Sequence, residues 1–276
     1  MEKQLERIFM PVEKVPLEDI LPGYEYPKGK DHAIIVTADN GTKQITNLCS
    51  EDYGLVRNKD IFVPLVELLK SKGFKFKTSV RNYDNRKFFI DFIFENQGVD
   101  FGYGKGKRED LIVPKITGVN SYDLSVKYGM MAGIWRLVCS NGMMAPDQDS
   151  FKSIKRLHTM SFAEVSIQET VDAIGEFLKD SKLIMEPFEI LRERKIQMGS
   201  LEEFLDDIIE LTGFPKRQKE MVLQRILEEK AITNTLDGWV VYNGFNYQLN
   251  HNPEINLAPQ KLHKMDMELV EFIAYS

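Results

Sequence analysis

The sequence predicts an α+β fold, in which an antiparallel β-sheet built from hairpins packs with helices and a mainly helical C-terminal half follows. Up to about residue 145, short stretches alternate apolar and polar residues and are separated by turn signals such as Asn-Gly. Beyond that point, apolar residues recur at helical spacing. We therefore predict an N-terminal arm over residues 1–30, a β-rich core domain over 31–160 and a mainly helical C-terminal region, packed on the core, over 161–276.

The composition is that of an ordinary globular protein, with 276 residues of which 43% are hydrophobic and 28% are charged. No apolar stretch approaches the length of a membrane span, and the charged N-terminal residues do not form a secretion signal. Cys49 and Cys139 lack the spacing of a zinc or disulfide framework, which favours reduced, buried thiols. We predict a cytoplasmic protein of a bacterial host cell, with no membrane partner, no metal and no cofactor.

The N-terminal arm ends in a stretch rich in proline and glycine, which predicts an irregular connection. Its apolar residues favour docking over free disorder, and they are Leu5, Ile8, Phe9 and Val12. A first hairpin is predicted over residues 32–47, because two β-forming stretches flank Asn40-Gly41, a favoured two-residue turn. A helix is predicted over residues 60–72, with Asn58 as its N-cap and a glycine as its C-terminal stop.

A second hairpin is predicted over residues 74–95, with its turn at Asp84-Asn85. In its second strand, Phe88 and its alternate neighbours face one side of the sheet, and Phe89 and its alternate neighbours face the other. The high aromatic content favours a packed core. The alternative is that one or two of the aromatic residues face a groove and stack on bases.

A glycine-rich basic loop, residues 99–109, precedes a strand predicted over residues 111–119. The glycines of the loop match neither the phosphate-binding pattern GxxxxGK[ST] nor the dinucleotide pattern GxGxxG, which argues against a nucleotide site. A flexible loop that contacts phosphates and a plain glycine-rich hairpin loop both remain open.

Residues 120–145 concentrate the unusual residues of the chain. Alternation over residues 122–128 predicts a half-buried strand, and Ser140-Asn141-Gly142 predicts a turn. Between them, Arg136 stands in an apolar stretch, where a permanent charge needs a partner. Arg136 is therefore either a structural residue, paired or at the rim of the sheet, or a contact in a binding groove.

The C-terminal half is predicted to contain helices over residues 161–182, 201–211, 215–230 and 265–275. The first has a capping-box pattern at Ser161 and Glu164, and Pro187 is predicted to end or kink it. Residues 236–238 form a predicted turn. The residues from Trp239 onward are either strand-like or the start of a helix.

Two stretches carry a resemblance to a known family. They are NSYDLS…RLVCSNGM, within residues 120–143, and NTLDGWVVYNGFNYQLNH, residues 234–251. In this order they resemble the signature and the closing segment of a phage- and plasmid-borne family of unknown function, numbered nine-three-two, and the similarity spans residues 33–251. Remote fold similarity relates that family to the single-strand annealing recombinases of phages (RecT, Redβ and Erf types), so the resemblance implies nucleic-acid annealing.

The distribution of charge agrees with a polyanionic ligand. The net charge is −6, yet residues 71–160 hold 15 of the 36 lysines and arginines and only 9 of the 42 aspartates and glutamates. A groove for a polyanion has this pattern, as does ordinary charge segregation between strands and acidic helices. The candidate nucleic-acid-binding residues are Lys75, Lys77, Arg81, Arg86, Tyr103, Lys105, Lys107, Arg108, Arg136, Lys152, Lys155 and Arg156.

Recognisable catalytic motifs do not occur, since the four histidines form no metal-binding or triad pattern. Cys139 lies in an apolar stretch, which favours a structural role over a nucleophile. We therefore predict a non-enzymatic protein that binds single-stranded DNA or RNA and promotes annealing in recombination, acting as a homo-oligomeric ring or filament without nucleotide hydrolysis. The alternative is a protein-interaction module of a mobile element that inhibits or recruits a host factor through the acidic helices of residues 161–230.

Overall fold

A computed structural model of the chain describes residues 3–100, 102, 110–126, 128–136, 141–144, 163–255 and 259–275. The elements follow in the order α1 (Lys3–Glu6), β1 (Val12–Pro16), α2 (Leu17–Ile20), β2 (His32–Thr37), β3 (Lys43–Cys49), α3 (Asn58–Ser71), β4 (Lys77–Tyr83), β5 (Lys87–Ile93), β6 (Val99–Asp100), β7 (Leu111–Ser121), β8 (Gly129–Arg136), β9 (Asn141–Met144), α4 (Ala163–Glu193), α5 (Leu201–Thr212), α6 (Lys219–Thr233), α7 (Gly238–His251) and α8 (Pro259–Tyr275). Strands dominate the N-terminal half and helices the C-terminal half, which confirms the predicted α+β class. Among the described residues, no helix is long and apolar enough to cross a membrane.

The chain separates into two compact units, and each is assembled from three stretches. Unit 1 comprises residues 1–96, 115–132 and 149–178, and unit 2 comprises residues 97–114, 133–148 and 179–276. The predicted arm, core domain and helical region, with boundaries after residues 30 and 160, remain a prediction.

Unit 1 contains a three-stranded antiparallel sheet in the order β1-β2-β3. Its β2–β3 pair is the first predicted hairpin. The connection is longer than the predicted two-residue Asn-Gly turn, because pairing ends at Thr37 and Lys43, and Gly41 has a positive φ of 79° while Asn40 does not. The N-terminal arm supplies β1, whose Val12 lies opposite Val36. Leu5 and Ile8 are also buried, so the arm docks as its apolar residues predict.

A second sheet has the strand order β4-β5-β7-β8-β9, with β6 also paired to β7. Strands β4 and β5 form the second predicted hairpin. One face of β5, formed by Phe88, Ile90 and Phe92, is completely buried in the core of unit 1. Helix α3 packs closely on β7, because a Cβ added to Gly118 would lie 2.8 Å from Phe62 Cε1.

The predicted N-cap of α3 is wrong. The helix begins at Asn58 after Arg57, and the buried Asn58 amide donates a hydrogen bond to Ile8 O at 3.1 Å. Asn58 Oδ1 accepts from Asn120 Nδ2 at 2.8 Å, and the Asn58 N–H donates to the Tyr122 hydroxyl at 2.9 Å. The Asn58 side chain is therefore bonded to distant parts of the chain and does not cap the helix.

The strand predicted over residues 122–128 is also wrong. Strand β7 ends at Ser121, and residues 122–126 form a bend in which Leu124 has a positive φ of 62°. Ser121 Oγ donates to Val126 O at 2.7 Å and accepts from Val126 N at 3.2 Å. This local side-chain bonding closes a tight loop that the alternation of residue types does not reveal.

The turn predicted at residues 140–142 lies partly within a strand. Strand β9 begins at Asn141, which pairs with Arg136 of β8, and Gly142 pairs with Trp135. Pairing with β8 therefore holds two residues extended that would favour a turn by themselves. Ser140 lies outside the described residues.

Unit 2 is built around α7, a helix of which almost every residue is buried. The residues from Trp239 onward are therefore helical, which settles the choice that the sequence left open. Gly244 lets α6 approach closely, because a Cβ there would lie 2.5 Å from Ile226 Cγ1. Helix α4 continues past Pro187 rather than ending there. Phe188, the next residue, packs on Trp239 with 5.8 Å between the ring centroids.

The other helices of the C-terminal half agree with the predicted periodicity. The helices predicted over residues 201–211, 215–230 and 265–275 are confirmed as α5, α6 and α8. The predicted capping residue Ser161 lies outside the described residues, as does Cys139. Cys49 is buried as predicted, and burial raises the pKa of its thiol.

Candidate nucleic-acid interface

The outward face of the hairpin formed by β4 and β5 collects aromatic and charged side chains. Antiparallel pairing places Arg81 opposite Phe89 and Tyr83 opposite Lys87. These residues lie on the face away from the buried core, because alternate residues of a strand point to opposite faces. We call the set Lys77, Arg81, Tyr83, Lys87 and Phe89 the outer hairpin face.

On this face, Phe89 lies between two neighbouring side chains. The Arg81 guanidinium lies 4.9 Å from the centroid of the Phe89 ring. The Tyr83 ring meets Phe89 edge to face, with 5.8 Å between the ring centroids. These contacts orient Arg81 and Tyr83 while Tyr83 stays 53% exposed, so its ring is accessible to a ligand.

A buried carboxylate lies beside this cluster. Asp91, which is 2% exposed, accepts a hydrogen bond from Thr117 Oγ1 at 2.5 Å. Arg81 Nη2 lies 3.4 Å from both Asp91 oxygens, and Lys115 Nζ lies 4.0 Å from Asp91 Oδ1. Burial lowers the pKa of Lys115, and the nearby Asp91 carboxylate opposes that shift. The two cations outnumber the carboxylate, so the local charge of this group is positive, and Arg81 is the member that solvent reaches.

The structure brings together part of the predicted nucleic-acid-binding set. Lys77 and Arg81 share the outer hairpin face, and Lys77 forms an exposed ion pair with Glu95 at 2.7 Å. Arg86 is exposed in the hairpin turn, and Lys75 is exposed just before β4. Two of these four cations therefore have carboxylate partners, and the positive charge of the face is partly balanced.

The side chains of the other eight predicted contact residues are not among those that the structure describes. Seven of them lie outside the described residues, and these are Tyr103, Lys105, Lys107, Arg108, Lys152, Lys155 and Arg156. Arg136 lies in β8 opposite Asn141, and only its backbone belongs to the described part of the chain. The convergence of all twelve side chains on one groove therefore remains a prediction.

Four side chains near this face were not selected from the sequence, namely Tyr83, Lys87, Phe89 and Lys115. Alternation in β5 already places Lys87 and Phe89 opposite the core-facing Phe88, so the signal for these two was present. Tyr83 and Lys115 become recognisable only through the register of β4 and β7 against β5.

In unit 2, hydrogen bonds hold the base of the predicted basic loop. Asp100 Oδ1 accepts from Gly102 N at 2.7 Å and from Asp110 N at 3.0 Å. Arg192 Nη2 donates to Gly102 O at 2.7 Å, and Trp239 Nε1 donates to Asp110 Oδ2 at 3.0 Å. Hydrogen bonds therefore hold the described residues on both sides of the loop, and the bond to Asp110 comes from Trp239 of the closing segment.

The buried titratable groups around α7 are engaged in hydrogen bonds. Tyr242 Oη and Asn246 Nδ2 both donate to Asp266 Oδ1, at 2.9 and 2.8 Å, and burial together with Asp266 raises the pKa of Tyr242. Asp237 caps α7 by accepting from Val240 N at 3.0 Å, and burial raises its pKa. In the part of the chain that the structure describes, no group of three or more histidines, cysteines and acidic residues could hold a metal.

The fold and the outer hairpin face define an α+β protein with an aromatic and cationic sheet surface. The chain belongs to the family described as Domain of unknown function (DUF932), whose model matches residues 46–254. The predicted membership of this family is thereby confirmed, whereas its relation to phage annealing recombinases stays a prediction.

One curated relative is the UPF0380 protein YfjQ of Escherichia coli, which is 28% identical over 89 residues. Those residues are 32% of this chain and 28% of that protein, so the match spans less than a third of the relative's length. No solved structure matches this chain.

Proposed function

We propose that this protein binds single-stranded nucleic acid, DNA or RNA, along the outer hairpin face and promotes strand annealing without nucleotide hydrolysis. The observation that carries the proposal is the cluster of Arg81, Phe89 and Tyr83 on the outward surface of an antiparallel hairpin. Proteins that hold single strands combine aromatic rings, on which bases stack, with cations that follow the phosphates. Both kinds of side chain occur here on one pair of strands.

Tyr83 is the side chain best placed to receive a base, since more than half of it is exposed and its ring packs against the ring of Phe89. A base in a duplex is already stacked and paired, whereas an unpaired base can turn onto a protein ring. A stacked base keeps its hydrogen-bonding edge free. A strand held in this way can therefore still pair with a second strand, which is what annealing requires.

The charges near the face support binding of a phosphate backbone. Four cations, Lys77, Arg81, Lys87 and Lys115, accompany three carboxylates, Asp91, Glu95 and Asp123. The exposed pair of Lys77 with Glu95 is weak, because water screens it, and a phosphate can replace the carboxylate. Each such replacement releases counterions from the strand, so the affinity falls as the salt concentration rises.

The proposal of annealing activity, rather than binding alone, rests on the remote resemblance to phage annealing recombinases of the RecT, Redβ and Erf types that is predicted from the sequence. In this proposal the protein acts as a homo-oligomeric ring or filament, which places many outer hairpin faces along one strand. The many weak contacts together then give a high overall affinity, through multivalency.

The test is a fluorescence anisotropy titration of a labelled oligothymidine with the full chain at low and at moderate salt, with duplex DNA as competitor. We expect binding that weakens with salt, and a loss of about tenfold in affinity for Tyr83→Ala. Tyr24→Ala is the matched control, because Tyr24 is 70% exposed but lies in the N-terminal arm. The absence of binding at low salt, or binding without salt dependence, would contradict the proposal.

A further inference from the structure

Helix α6 has apolar residues on two opposite sides. On the side packed against α7, Val222 and Ile226 are buried. On the opposite side, Leu223, Leu227 and Ala231 lie along a shallow, open depression of about 540 Å³ whose described lining residues all belong to α6, and Leu227 is 41% exposed. We call this depression the groove of α6. The core of unit 2 accounts for the first set of apolar residues, whereas Leu227 and Ala231 of the second set stay exposed among the residues that the structure describes.

A polar row borders the apolar row of the groove. Glu220, Gln224 and Glu228 follow one another at four-residue spacing, so they lie along one side of α6. Glu220 and Glu228 are exposed, and Glu228 contacts Arg225 at 3.2 Å in a half-exposed pair that is weak enough to exchange. Lys219 is paired with Asp206 at 2.6 Å, so the groove keeps an acidic border.

We propose that this groove binds an amphipathic helix of another protein, whose apolar face is flanked by lysines or arginines. The apolar side chains of that helix pack on Leu223, Leu227 and Ala231, and its cations reach Glu220 and Glu228. The groove belongs to unit 2 and the outer hairpin face to unit 1, so the inference goes beyond single-strand binding. It also gives a specific location to the protein-interaction alternative predicted from the sequence.

Charge complementarity distinguishes this occupant from a second copy of α6. Two α6 helices packed antiparallel about a twofold axis through Gln224 would bring Glu220 of one copy beside Glu228 of the other. Like charges at such a distance oppose pairing. A cationic partner turns the same two carboxylates into attractive contacts.

The experiment is an anisotropy titration of the full chain with two synthetic helical peptides that carry the same leucines on one face. One peptide has lysines on both flanks of the leucine row, and the other has glutamates. We expect the lysine peptide to bind at least about tenfold more tightly than the glutamate peptide. Leu227→Asp should weaken the lysine peptide about tenfold. Ile232→Asp is the matched control, because Ile232 is also an exposed apolar residue of α6, 57% exposed, but lies outside the groove. This variant should leave the affinity unchanged.

Failure of the lysine peptide to bind, equal affinity of both peptides, or insensitivity to Leu227→Asp would each overturn the proposal. If the wild-type chain self-associates and Leu227→Asp makes it monomeric, the occupant is a second copy and the proposal is wrong. Oligothymidine binding, measured in parallel, should be unchanged in Leu227→Asp. Failure of the groove proposal is therefore distinguishable from failure of the single-strand proposal.

Discussion

The outer hairpin face and helix α7 differ in what their polar residues do. On the outer hairpin face, polar and aromatic side chains are exposed or half-buried and held by weak pairs such as Lys77 with Glu95. Around α7, polar side chains are buried and bonded to other buried groups, as in the bond from Tyr242 to Asp266. The first arrangement can exchange its partners for a ligand, whereas the second can change partners only if the core opens.

Several described residues of the two motifs that carry the family resemblance resemble those around α7, because they are buried and hydrogen-bonded. Asn120 and Tyr122 of the first motif are buried and bonded to Asn58. Trp239 and Asn246 of the second are buried and bonded within unit 2. The outer hairpin face lies inside the family match but outside both motifs. The most recognisable residues of this chain therefore explain its architecture, and its candidate binding surface is less recognisable.

The largest expected effect concerns the stability of unit 2. Asp266→Ala leaves the Tyr242 hydroxyl and the Asn246 amide without their shared acceptor, and each buried donor left unsatisfied costs about 1–3 kcal/mol. We expect the free energy of unfolding in urea to fall by about 3 kcal/mol. Glu268→Ala is the control on the same helix, because Glu268 is half exposed and pairs with Lys264, and it should change stability by less than about 0.5 kcal/mol. Equal losses in the two variants would contradict the contrast between buried and exposed polar groups.

The next effect concerns strand binding. Phe89→Ala removes the ring that orients both Arg81 and Tyr83, so the affinity for oligothymidine should fall about tenfold in an anisotropy titration. Phe89→Tyr keeps an aromatic ring and should bind nearly as well as the wild-type chain. If the tyrosine and alanine variants bind equally weakly, the ring itself is not what supports binding.

A smaller effect tests the charges of the same face. Lys77→Ala should lower the salt dependence of binding, d log K/d log [salt], by about 0.7, the value for one phosphate contact on a single strand. Lys43→Ala is closely matched, because Lys43 is also an exposed strand lysine paired with a carboxylate, that of Glu13 at 3.1 Å. An identical change of slope in both variants would point to long-range charge rather than to a contact on this face.

The smallest effect is a pH dependence within the buried region. Burial raises the pKa of Asp237, so its contribution to stability is present below the unfolded pKa and is lost as the pH rises through the folded pKa. Asparagine caps helices about as well as aspartate and does not titrate. The stability of Asp237→Asn relative to the wild-type chain should therefore increase as the pH rises through that range, measured by urea unfolding at several pH values. A relative stability that decreases with rising pH would mean a lowered pKa instead.

The predictions from sequence succeeded where structure is decided locally. Alternation and the Asn40-Gly41 turn were sufficient for the first hairpin, and helical periodicity was sufficient for α5 and α8. They failed where distant groups compete for a side chain, as when Ile8 O and Asn120 engage Asn58. Helix α7 was ambiguous because a helix that is buried on nearly all sides shows no single apolar stripe.

The candidate site shows the same limit. The sequence shows that Lys77 and Arg81 are cations of one hairpin. It does not show that Lys77 pairs with Glu95 and Arg81 with Asp91, because these pairs depend on the fold. Tyr83 was missed because its position opposite Lys87 depends on the register of the two strands. A shift of one residue would turn its side chain to the other face of the sheet. The groove of α6 was missed because apolar residues on both sides of the helix resemble a single buried element.

The central claim, that a single strand lies on the outer hairpin face, is tested most directly by mapping where the strand touches the protein. The measurement is ultraviolet crosslinking of a bromouridine-substituted oligonucleotide to the full chain, followed by mass spectrometry of the crosslinked peptides. We predict crosslinks within residues 77–93, at Tyr83 or Phe89, that duplex competitor does not remove. Crosslinks confined to other parts of the chain, with none in residues 77–93, would contradict the account.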